Sequence, residues 1–115
     1  MDISNIRHFN RVKVDLGAEL LYLQKAFQVE VKDISLGGAY IETPLRLPME
    51  ERVELRIFLN NPEHTVEALG RVAWIKPDQS GFGIEFAQLK PIDVWALMRQ
   101  TSTAPAEVFK LNGER

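Results

Sequence analysis

The 115-residue chain is 45% hydrophobic and 26% charged, the balance of one soluble globular domain and not of a disordered or membrane-spanning chain. It has no cysteine, which excludes disulfides, thiolate metal sites and thiol nucleophiles. Fourteen Lys and Arg against 16 Asp and Glu leave a net charge of -2, which argues against a broad face for DNA or RNA.

The opening residues lack the apolar core of a signal peptide, and no apolar run approaches the ~20 residues that cross a bilayer. The chain is therefore expected in the cytoplasm, without membrane insertion. Strict alternation then dominates, the mark of half-buried strands. It runs through Val12, Val14, Leu16, Ala18, Leu20 and Tyr22, and again through Phe27, Val29 and Val31. A short apolar stretch from Ala39 to Ile41 follows Gly37-Gly38 and stops at Pro44. Val53, Leu55 and Ile57 alternate with Glu54 and Arg56 before the turn signal Asn60-Asn61-Pro62. A longer strand passes through Val66, Ala68, Val72, Trp74 and Ile75 to Pro77-Asp78, and Phe82, Ile84 and Phe86 complete the series. Gly70, inside the long strand, marks a bulge where the sheet curls.

Six strands with short connections predict an all-β fold over 12–88, a small barrel or sandwich, with a six-stranded antiparallel barrel expected because closure removes exposed edges. One helix is predicted over 91–101. Pro91 suits its first position, and Ile92, Trp95 and Met98, with Val94 and Leu97, form the apolar stripe expected to lie across one barrel end. Residues 1–11 read as a flexible lead-in. Residues 102–115 read as a mobile tail, with one further turn near 106–109.

Catalytic chemistry finds no support in the pattern. His8 and His64 belong to no metal-binding spacing, and Ser35 lacks the Gly-x-Ser-x-Gly elbow of a nucleophile. Gly81-Phe82-Gly83 lacks the third glycine and crossover helix of a dinucleotide fingerprint, and Ser35-Leu36-Gly37-Gly38 lacks the ending of a P-loop. No catalytic residue, metal or cofactor is expected.

Two segments remain. Arg7-His8-Phe9-Asn10-Arg11 precedes the first strand. Taken alone it reads as a solvated basic lead-in, yet two guanidinium forks on one segment could close around a phosphate-bearing ligand. Asp33-Ile34-Ser35-Leu36-Gly37-Gly38 lies between two strands. It reads equally as a turn held by Asp, Ser and Gly or as a ligand surface. If extended, Asp33 and Ser35 share one face and offer an acceptor beside a hydroxyl to the N–H edge of a guanine, with Gly38 allowing close approach.

In this order, and followed by a small barrel, the two segments resemble the PilZ domain of bacterial cyclic di-GMP receptors. That family carries Arg-x-x-x-Arg before its first strand and Asp/Asn-x-Ser-x-x-Gly after its second. Gly70-Arg71-Val72-Ala73-Trp74 and Gly81-Phe82-Gly83-Ile84-Glu85-Phe86 resemble two of its later strands. The resemblance implies that Arg7 and Arg11 contact phosphates and guanines, and that Asp33, Ser35 and Gly38 bind the guanine edge from the barrel. Gly37 lies inside the motif. Trp74 matches an aromatic that contacts ligand in some members, although a core position fits it as well.

These readings predict a cyclic di-GMP receptor without enzymatic activity. With no output segment recognised in the chain, it is expected to act as a stand-alone adaptor in motility or biofilm regulation, through a protein partner of unknown identity. An exposed stripe on the last helix would permit a homodimer. The rivals are a PilZ-like interaction module that binds no nucleotide and a small oligonucleotide-binding barrel. The latter needs a basic groove with exposed stacking aromatics, which a charge of -2 disfavours.

Overall fold

A computed structural model describes residues 11–60 and 63–101. The strands are β1 (Val12–Tyr22), β2 (Lys25–Ile34), β3 (Gly38–Glu42), β4 (Arg52–Asn60), β5 (Glu63–Ile75) and β6 (Gly81–Leu89), followed by the helix α1 (Pro91–Thr101). All neighbours pair antiparallel in the order β1-β2-β3-β6-β5-β4, and β4 pairs back onto β1 to close the barrel.

Alternation dictates which side chains fill the interior. In β4, Val53, Leu55, Ile57 and Leu59 point inward, while Arg52, Glu54, Arg56 and Phe58 face out. The same rule sends Leu16, Ala18, Leu20, Val29, Val31, Phe82, Ile84 and Phe86 into one core. Gly70 does sit at a bulge: the β5–β6 register shifts between Leu69 and Gly70. A Cβ at Gly70 would lie 2.6 Å from the Glu85 carbonyl oxygen, so only glycine fits there.

Because the strands alternate in direction, the start of β1, the β2–β3 connection and α1 share one end of the barrel. The β1–β2 turn and the β3–β4 connection lie at the other, where Leu47, 4% exposed, joins the core. The β1–β2 turn places Leu23 and Gln24 at φ 51° and 66°, the left-handed pair that a two-residue hairpin requires and that asparagine and glycine fill more easily.

The helix starts at Pro91 as expected, with the Lys90 carbonyl accepting from the Asp93 and Val94 amides. Of the expected stripe, only Leu97 is fully buried. Asp93, Ala96, Leu97 and Thr101 are buried, whereas Ile92 and Trp95 are exposed. The cause lies in β5. Strand β6 ends at Leu89, opposite Ala68, so the Glu67 amide needs another acceptor. Asp93 Oδ2 accepts it at 3.1 Å, and Asp93 Oδ1 accepts from His64 Nε2 at 2.6 Å. These bonds turn Asp93 inward, so that Ile92, one residue and ~100° around the helix, and Trp95, two residues and ~200° around, turn out.

Candidate ligand-binding surface

The second motif straddles the end of β2. Asp33 faces outward, opposite Lys13 of β1 and Tyr40 of β3. Its Oδ1 accepts from Arg11 Nη1 at 2.5 Å, which brings the second arginine of the first motif onto the acid of the second. Arg7 lies outside the described residues, as do His8, Phe9 and Asn10 and the expected tail 102–115.

Ser35 does not share the face of Asp33. Strand β2 ends at Ile34, so the two-residue alternation stops there and the chain turns. Ser35 is 1% exposed; its Oγ accepts from the Gly37 amide at 3.1 Å and donates to the Gly38 carbonyl at 3.4 Å. Its amide donates to the same carbonyl at 2.9 Å. The hydroxyl thus holds the turn that places Asp33, and its bonds are local.

Both glycines tie that turn to β6. The Gly37 carbonyl accepts from the Phe86 amide at 2.8 Å, and a Cβ at Gly38 would lie 2.2 Å from the Ile84 carbonyl oxygen. Close strand packing, and not a positive φ, requires glycine at Gly38. The next residue but one, Tyr40, belongs to neither motif, and motif spacing does not point to it. Trp74 stacks on it, with ring centroids 5.4 Å apart and planes 9° from parallel. The tyrosine is 9% exposed and the indole 46%, so Trp74 is a surface residue and not part of the core. Both rings lie over the glycines of β6: Tyr40 Oη crowds Gly81, and Trp74 Nε1 crowds Gly83. The Gly-x-Gly of β6 is the sequence signal that could reveal this trough.

These residues form one row. Lys13 pairs with Asp33, Asp33 with Tyr40, Tyr40 with Gly83, and Gly83 with Trp74, across β1, β2, β3, β6 and β5. At ~4.8 Å per strand, Asp33 and Trp74 are separated by about 14 Å along the sheet, within reach of one ligand. Neighbouring charges are already engaged. Lys32 Nζ binds Asp15 at 2.9 Å and Glu30 at 3.2 Å, and hydrogen bonds to Asp15 and then Glu30 hold its ammonium above the ordinary lysine range. Arg71 binds Glu85, and Glu50 at 2.8 Å. Concavities of about 380 and 560 Å³ lie elsewhere, around Leu69 and Gln88. The motif residues form an open surface, which would need a second wall to enclose a ligand. Among the described residues no acidic or histidine cluster could hold a metal, and no helix is long and apolar enough to cross a membrane.

The described residues form a small closed antiparallel barrel on whose outer face Arg11 of the first motif meets Asp33 of the second. The PilZ domain family model matches residues 5–101, and the chain belongs to that family. Its fold resembles that of the Bacillus subtilis inhibitor of motility MotI/DgrA, with a TM-score of 0.71, 21% identity and 95% of this chain covered. The match spans only 53% of that longer chain. The PilZ domain of YcgR from Escherichia coli, whose structure holds c-di-GMP, superposes with a TM-score of 0.64 at 12% identity, covering 95% of this chain and 98% of that one. The PilZ domain of CeSA from a cellulose-synthesizing bacterium gives 0.60 at 15% identity, covering 79% and 93%. No curated protein sequence matches significantly.

Proposed function

We propose that this chain is a cyclic di-GMP receptor in which the segment carrying Arg7 and Arg11 supplies the second wall over the outer-face row. The observation that carries this reading is the Arg11–Asp33 contact, which joins the two family motifs on one surface, in the same cross-strand row as the exposed Trp74. The Asp33 carboxylate accepts from a guanidinium N–H there, and the N–H edge of a guanine offers donors of the same kind. Ligand binding exchanges one for the other and frees Arg11 for phosphate. Ser35, Gly37 and Gly38 act by holding the turn against β6, and Trp74 offers a flat face to a base.

A hydrogen bond to a charged group contributes roughly 1.5–3 kcal/mol. Two arginines on phosphates then supply roughly 3–6 kcal/mol of the ~8 kcal/mol behind micromolar binding. No covalent step enters the reading. The output is a surface, altered when the arginine segment closes, that a protein partner reads.

Limited trypsin digestion tests the closing segment. Saturating cyclic di-GMP should slow cleavage after Arg7 and Arg11 at least fivefold while cleavage at other sites is unchanged. Equal cleavage with and without ligand would refute closure.

A further inference from the structure

We propose that Tyr40 is a positioning residue: it holds the Trp74 indole flat over β6 as a preformed stacking face for a base of the ligand. Its ligand rests on the cyclic di-GMP reading; the positioning itself rests on the packing alone. Tyr40 and Trp74 rise from β3 and β5, two strands that are not paired with each other, and meet over the glycine trough of β6 between them. The offset parallel geometry, at a centroid distance of 5.4 Å, is one that aromatic pairs favour. Tyr40 is the covered partner, with Lys76 Nζ 5.9 Å from its ring centroid, and Trp74 is the exposed one.

An exposed indole without such support samples several rotamers, and fixing one on binding costs affinity. Held against Tyr40, Trp74 meets the ligand already in place. Tyr40 also sits opposite Asp33 in the β2–β3 register, so the acceptor and the stacking face are set by adjacent residues of one row.

The test uses the full chain carrying Trp95→Phe, which leaves Trp74 as the single tryptophan, since the sequence has two. Near-ultraviolet circular dichroism without ligand reads the fixed indole, and calorimetric titration with cyclic di-GMP reads affinity. Tyr40→Phe should keep the tryptophan band and bind within twofold of the parent. Tyr40→Leu should lose at least half of the band and weaken binding at least fivefold. In a Trp74→Leu background it should add no further loss.

Gly83→Ala provides a second route that leaves Tyr40 intact. Its Cβ would stand 2.2 Å from Trp74 Nε1, so it should displace the indole, with the same loss of band and affinity at a melting temperature near that of the parent. An unchanged band in folded Tyr40→Leu and in Gly83→Ala, or additive losses with Trp74→Leu, would overturn the positioning role. A parent that binds no cyclic di-GMP would overturn the ligand reading, while the band still decides whether Tyr40 fixes Trp74.

Discussion

Asp93→Ala removes a carboxylate that is 2% exposed and accepts from the His64 ring at 2.6 Å and the Glu67 amide at 3.1 Å. Two hydrogen bonds to a charged group are lost, at roughly 1.5–3 kcal/mol each. Both donors, which are only partly buried, then lose their acceptor. A loss with a lower bound of about 3 kcal/mol is expected, the low end of the range for breaking one side of a buried polar pair. For a domain near 100 residues the lower bound corresponds to a fall in melting temperature of roughly 12–24 °C. Asp93→Asn keeps an acceptor for the Glu67 amide and should cost about half as much. Urea unfolding of the three proteins, followed by far-ultraviolet circular dichroism, measures both losses. A loss below about 1 kcal/mol for Asp93→Ala would show that Ala96 and Leu97 alone dock the helix and that the carboxylate does not set its rotation.

Two further substitutions test the barrel itself. Gly38→Ala forces a Cβ to 2.2 Å from the Ile84 carbonyl oxygen, which the strands relieve only by parting, so equilibrium unfolding should show a loss of about 2–3 kcal/mol; a neutral result would refute the close approach of β3 and β6. Gln24→Gly should stabilise by about 1 kcal/mol, because the residue sits at φ 66°, and thermal melting would contradict the strained turn if the midpoint fell.

The barrel was legible because its signal is local. Each strand carries its own alternation, and β4 shows the pattern without a break from Arg52 to Asn60. The Gly70 bulge was legible too, since a glycine weakens a strand interior and is kept where the backbone must bend or approach a neighbour closely. The rotation of α1 was not. Ile92, Trp95 and Met98 form a convincing stripe, and the Glu67 amide and His64 ring that draw Asp93 inward belong to a strand about 26 residues earlier. The Leu23–Gln24 turn carries no glycine or asparagine to announce it. On the candidate surface, Asp33 and Arg11 stand out from motif spacing, and the structure places them in contact. The local role of the Ser35 hydroxyl depends on where β2 stops, and Tyr40 depends on two strands meeting over a third, which no single segment encodes.

Recognition of the nucleotide is the central claim. Calorimetric titration of the protein with cyclic di-GMP should give saturable heat with a dissociation constant at or below the low micromolar range. Arg11→Ala should weaken it at least tenfold, about 1.4 kcal/mol. No heat of binding at ~100 μM nucleotide, a threshold worth ~5–6 kcal/mol, would contradict the receptor reading and leave a PilZ interaction module in its place.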